Sequence, residues 1–190
     1  MTFETTLSIS RTIVDEPHRG RIEIWPLPTD ETFLWNLLKP LFEEHWNQIT
    51  FGPLLLGAAW EVRAPNAPTR TTLDNGYLTV DFGTWHFHLC IGEFSGAELE
   101  SAKLRRTARA EFYRSLNKND QPVSWGLRLY NHEGTQQMTV LLPNPLLTPD
   151  QKIADTPDWS RLALWDQLRK THLDLDPDPV DRSSPGYNRA

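Results

Sequence analysis

The sequence predicts an α+β fold, a single domain built mainly on an antiparallel sheet, with two long helices packed on it and a C-terminal helix. Three observations carry this. Short strands come first and recur after the first helical stretch, the best-patterned pair is joined by a turn too short for a parallel crossover, and no glycine-rich loop stands between a strand and a helix as a nucleotide-binding α/β fold would need. A length of 190 residues fits one hydrophobic core, expected over residues 1–172, with a Pro- and Asp-rich tail over 173–190.

In chain order, residues 6–10 and 21–25 read as strands separated by a loop over 15–20, which contains Pro17 and Gly20. From Thr29 the period becomes helical. Asp30 and Glu31 suit a helix N-terminus, and Leu34, Leu37, Leu38, Leu41, Phe42, Trp46 and Ile49 form one stripe. Pro40 is expected to kink or divide that helix near Lys39, and His45, seven residues after Leu38, to face the core. Residues 51–57 read as a buried turn and 58–63 as a strand, closed off by Pro65 and Pro68.

The strongest local signal is a hairpin turning at Gly83-Thr84. A two-residue turn pairs Phe82 with Trp85, Val80 with Phe87 and Leu78 with Leu89, which puts every large apolar side chain on one face. The other face then holds Asp81 opposite His86, Thr79 opposite His88 and Tyr77 opposite Cys90. A slip of one residue would mix the two sets.

Residues 96–116 read as the second long helix, with Leu104, Ala108, Phe112 and Leu116 at one-turn spacing and Lys103, Arg105, Arg106, Arg109 and Arg114 outside. Glu98, Glu100 and Glu111 offset part of that basic face, so it reads as solvated helix surface. Strands are expected at 123–130 and 137–142, joined by a turn at Asn131-His132-Glu133-Gly134, and a helix over 158–170 carries Trp159, Leu162, Leu164, Trp165 and Leu168. The tail from 174 to 190 is expected to be mobile or laid over the surface.

Composition bounds the function. With 25 acidic against 19 basic residues and a formal charge of -6, the chain has the wrong sign for a nucleic-acid partner. No apolar run reaches the length of a membrane span and no secretory leader is evident, so no membrane partner and a cytoplasmic location are expected. The single cysteine agrees with a reducing compartment. Eight tryptophans exceed ordinary use, enough to pack a core and to line a cleft.

The chemistry-bearing stretch is the hairpin's polar face. Imidazoles one residue apart on a strand project side by side and can share an ion, and a thiolate beyond them would favour zinc or iron over magnesium. His86, His88, Cys90 and Glu93 are therefore the candidate metal ligands, with His45 and His132 as further donors and Asp81 placed to hold one imidazole from behind. Cys90 and His86 are separated by about 13 Å along a straight strand, so a site would use two neighbours and a donor from elsewhere. A thiol nucleophile at Cys90 is disfavoured, because His88 two positions away is poorly aligned and no oxyanion-forming glycine run precedes the cysteine. The functional expectation is a protein binding a transition-metal ion through its His-x-His strand, as an accessory factor or small metalloenzyme. The alternative is a non-enzymatic protein with a protein partner, its histidines structural.

His86-x-His88 followed by Glu93 is similar to the first metal motif of the cupins, whose histidines and glutamate hold iron, manganese or nickel. Val80 stands where that motif has glycine, no second motif follows, and a helix is expected where a cupin continues in strands. The resemblance implies a donor set and no fold. Through Phe51-Gly52-Pro53, Trp85-His86-Phe87-His88-Leu89-Cys90-Ile91-Gly92-Glu93 and Trp125-Gly126-Leu127-Arg128, nearly the whole chain resembles a family of bacterial proteins known only as a domain of unknown function, which implies no activity.

Overall fold

The computed structural model describes residues 11–186. The strand expected at 6–10 lies outside them. The described chain opens with an antiparallel hairpin, β1 (Thr12–Glu16) and β2 (Gly20–Leu27), so the first strand ends on Asp15 and Glu16, which were expected to be loop. Helix α1 (Glu31–Glu44) starts where expected. Asp30 caps it by accepting a hydrogen bond from the Phe33 amide at 2.9 Å, and Leu34, Leu37, Leu38, Leu41 and Phe42 are buried along one stripe. That stripe is buried on both sides of Pro40, and the helix runs through the proline rather than dividing there. It stops at Glu44, so His45 becomes its C-cap, half-buried and bonded through Nδ1 to Gln48 Nε2 at 3.2 Å, rather than a core residue.

Strands β3 (Thr50–Gly52), β4 (Leu54–Leu55) and β5 (Ala58–Ala59) replace the buried turn and strand expected over 51–63. Only β3 joins the main sheet; Leu55 and Leu56 face solvent. A separate three-stranded sheet follows, β6 (Arg70–Asp74), β7 (Tyr77–Asp81) and β8 (His86–Cys90). The β7–β8 register matches the expectation residue for residue, from Tyr77 opposite Cys90 to Asp81 opposite His86, and Phe82 N bonds Trp85 O at 2.9 Å across the turn. β6 was not anticipated. Its turn is Asn75-Gly76, both residues at positive φ (46° and 78°), which is the dipeptide a tight hairpin turn favours.

The second long helix does not form. Only α2 (Leu99–Arg105) is helical, with no buried residue, and residues from Thr107 onward form β9 (Thr107–Leu116). Positions four apart share a face on a strand as well as on a helix, so Leu104, Ala108, Phe112 and Leu116 satisfied both patterns. Burial decides between them. Residues Ala110 to Arg114 are all buried, on both faces, as befits a central strand and no amphipathic helix. β10 (Pro122–Asn131) and β11 (Gln136–Leu141) follow close to their expected limits. A single 3₁₀ turn (Trp159–Leu162) then leads into α3 (Ala163–Leu173).

The main sheet is antiparallel throughout, in the order β1-β2-β9-β10-β11-β3, and is open, with β1 and β3 at its edges. Register divides its faces. Trp25, Phe112, Leu127, Val140 and Phe51 lie side by side on one, where Trp165 of α3 meets Trp25 and Phe112 edge-on at 5.7 and 5.6 Å, and Phe42 of α1 meets Phe51 at 5.0 Å. Phe87 of the small sheet closes onto the same cluster, 5.1 Å from Phe42. The opposite face carries Ile22, Tyr113, Glu111, Arg128 and Thr139 and has no helix over it among the described residues. Among the described residues beyond α3, Leu175 and Val180 pack against the core and Asp178 turns inward and is 3% exposed.

Candidate functional site

The hairpin presents its two histidines but not the full donor set. Alternation puts His86 and His88 on the exposed side of β8, ring centroids 4.9 Å apart, and Thr79 Oγ1 lies 2.7 Å from His88 Nδ1, which fixes that ring. Cys90 shares their side but lies at the buried end of the strand. Its thiol donates to Gly92 O at 3.7 Å, and burial raises its pKa against the opposing pull of a Tyr77 hydrogen bond and of Arg106 and Arg105, which keeps it a neutral thiol. Asp81 is spent elsewhere, accepting from the Gly83 amide at 2.8 Å and pairing with Arg70 at 3.4 Å.

Glu93 and His132 meet at a different place. Both line a cleft of about 770 Å³ under α2, together with Phe94, Lys103 and Arg106. Among the described residues no three His, Cys, Asp or Glu side chains gather in a group able to hold a metal ion. The structure thus sets His86 beside His88, puts Glu93 and His132 on the walls of one cleft, and leaves Cys90 buried and His45 at the end of α1.

The most unusual chemistry sits on the sheet face that carries no helix among the described residues, and sequence alone gave its residues no chemical role. Arg128 on β10 is 1% exposed. Its two terminal nitrogens grip Glu16 of β1 in a two-pronged pair at 2.8 Å each, and Nη2 lies 2.5 Å from Glu111 on the neighbouring strand. Burial alone would lower the arginine's pKa, and these carboxylates more than offset it, so the guanidinium stays charged. Tyr113 and Tyr130 flank it, the guanidinium carbon 4.7 and 5.7 Å from their ring centres, while Arg109 stacks on Tyr130 at 3.8 Å. Burial raises the pKa of both phenols, so both remain protonated donors.

Gly126 makes room for this arrangement. A Cβ there would stand 2.5 Å from Val140 O and 2.8 Å from the Tyr113 ring, so only glycine lets that ring lie against the strand. Above Tyr113 and Arg128 opens a cavity of about 570 Å³. Ser115 and Ser124, neighbours across β9 and β10, share its lining with Tyr113, Asn144 and Gln151, and Ile22, Leu54, Leu141 and Leu147 supply its apolar part. Arg19 stands at its edge, donating to Leu54 O at 2.6 Å. The contributing residues come from five separate segments, so no local motif could announce them. The one available signal was charge in the wrong place: Glu111 and Arg128 alternate with large apolar residues in strand-like runs, as inward-facing residues do.

No helix among the described residues is long and apolar enough to cross a membrane. No curated protein matches the chain. A family model matches residues 11–174, from the residue before β1 to the residue after α3, and by it the chain belongs to a family of unknown function, DUF7676.

Proposed function

We propose that this is a binding protein of the cytoplasm whose uncovered sheet face holds a small, uncharged, amphipathic molecule. The observation that carries the reading is the ionised cluster of Arg128, Glu111 and Glu16 beneath a cavity of about 570 Å³. A buried ionic cluster stabilises a fold no better than apolar residues of equal volume, so its presence on the face without helices favours a role in recognition. The volume falls in the usual range for small-molecule sites, and a lining that mixes apolar side chains with hydroxyls and amides suits an amphipathic ligand.

Charge sets the ligand class. Arg19, Arg109 and Arg128 balance Glu16, Glu61 and Glu111 one for one, so the site carries no net charge to attract an ion. Tyr113, Ser115 and Ser124 offer hydroxyls to carbonyl or hydroxyl groups of a neutral ligand. Ligand-observed NMR with a panel of neutral hydroxylated and carbonyl compounds tests this, comparing wild type with Ser115→Leu, which fills the cavity from its floor. The expected result is a compound whose binding is lost in the variant while the fold is kept. A panel without binders, or binding indifferent to Ser115→Leu, would remove the reading.

A second reading is favoured by one separate observation, the exposed imidazoles of His86 and His88 at 4.9 Å. Two neighbouring imidazoles suit zinc or iron as part of a donor set completed by water or by a partner's side chain, in an accessory factor or small metalloenzyme. Elemental analysis and zinc titration of wild type, His86→Ala and His88→Ala are expected to give one ion per chain, lost in both variants. Because bound imidazole must be neutral, protons compete with the metal and occupancy is expected to fall on acidification. Equal trace metal in all three proteins would leave the histidines structural.

A further inference from the structure

On the helix-covered face, where α3 and the segment after it meet β2 and β9, charged side chains form an alternating chain. Arg11 Nε lies 3.0 Å from Glu23; Glu23 also holds Arg114 Nε; Arg114 Nη1 lies 2.6 Å from Asp178; and Asp178 lies 3.5 Å from Arg169 Nη1. Three guanidinium groups share two carboxylates. The chain therefore begins and ends on a cation, and Arg11, Arg114 and Arg169 all line one pocket of about 270 Å³, closed on its other sides by Trp25, Leu175 and Pro179.

Arg169 is the least satisfied member. It is buried, yet its Nε and Nη1 donate no hydrogen bond to any described residue, and its guanidinium is packed 5.2 Å from the Trp25 ring centre and 5.7 Å from that of Trp165. Burial lowers its pKa, Asp178 only partly restores it, and Arg114 adds to the depression, so the site holds more positive charge than its carboxylates balance.

We propose that this pocket binds a small oxyanion of the phosphate or sulfate class, which bridges Arg11 and Arg169 and closes the open chain of charges into a ring. Guanidinium groups present forked donors that match such oxygens, and in a buried setting a charge-assisted bond of this kind is strong. Its three arginines and its apolar back wall set it apart from the larger cavity on the opposite face, where carboxylates balance the cations.

The test uses inorganic phosphate and the full chain. Calorimetric titration and thermal denaturation are run against sodium chloride at matched ionic strength, on wild type, Arg11→Ala and Arg169→Gln. Arg11 is 58% exposed in its side chain, so its removal leaves the core intact. The expected result is saturable one-to-one binding of phosphate, stabilisation that rises with its concentration and is not reproduced by chloride, an affinity about tenfold weaker in Arg11→Ala, and no binding in Arg169→Gln. Should Arg169→Gln not fold, Arg11→Ala decides alone. No saturable binding up to about 10 mM, stabilisation matched by chloride, or affinity unchanged in Arg11→Ala would overturn the assignment.

Discussion

Replacing Asp178 by alanine is expected to lower the free energy of unfolding by about 3–5 kcal/mol, the usual cost of stripping one partner from a buried ion pair. Asp178 accepts from Arg114 at 2.6 Å, from Trp165 Nε1 at 2.7 Å and from Trp125 Nε1 at 3.2 Å, so its loss orphans two indoles and leaves Arg114 and Arg169 short of counter-charge. Urea denaturation measures it, and Arg182→Ala, which breaks a more exposed pair with Asp166, serves as the control expected to cost under about 1 kcal/mol. Similar losses in the two variants would refute the assignment.

The same residue predicts a pH response. Burial alone would raise the Asp178 pKa, but Arg114, the Trp165 and Trp125 indoles and the Val180 amide together hold it below the ordinary carboxylate value. A depressed folded pKa means that the unfolded chain binds the proton first. The stabilisation is therefore present above the unfolded value of about 3.9 and is lost as pH falls through the folded one. Acid denaturation of Asp178→Ala is expected to lack that component.

Truncating Phe112 to alanine is expected to cost about 3–5 kcal/mol, because a fully enclosed aromatic ring leaves a cavity its neighbours cannot fill. Phe112 is 0% exposed, sits between Trp25 and Leu127 across the sheet, and meets Trp165 edge-on at 5.6 Å. Leu104→Ala is the informative companion. A helix over 96–116 would bury both residues in one stripe and make both substitutions costly, whereas here Leu104 is 42% exposed and its truncation is expected to be nearly neutral. Comparable losses at the two positions would argue for the helix.

What could be read from sequence depended on whether a signal was local. The register of β7 and β8 followed from a two-residue turn and strict alternation, and α1 from its Asp30 cap and its leucine stripe, all within a few residues of one another. β9 was misread because a spacing of four is common to both periodicities, and the deciding fact, burial on both faces, belongs to the assembled sheet. Of the candidate site, the neighbouring histidines were legible, while their third donor was not supplied by Cys90, Glu93, His45 or His132. The Arg128 cluster and the Asp178 hub draw on residues up to 112 positions apart, which only tertiary structure brings together.

The strand order also has a temporal consequence. β9 is the partner of β2, yet about two-fifths of the chain, including α1 and the whole small sheet, is made between them. During synthesis the N-terminal hairpin and α1 emerge with no main-sheet surface to pack on, and they must wait until β9 and β10 leave the ribosome. Closing so long a loop is entropically expensive, so the rate-limiting step of refolding is expected to be the docking of β2 on β9, on the millisecond-to-second scale of non-local β pairing. The small β6–β8 sheet, whose strands are joined by two tight turns, can form well before that event and offers the nascent chain its first place to settle.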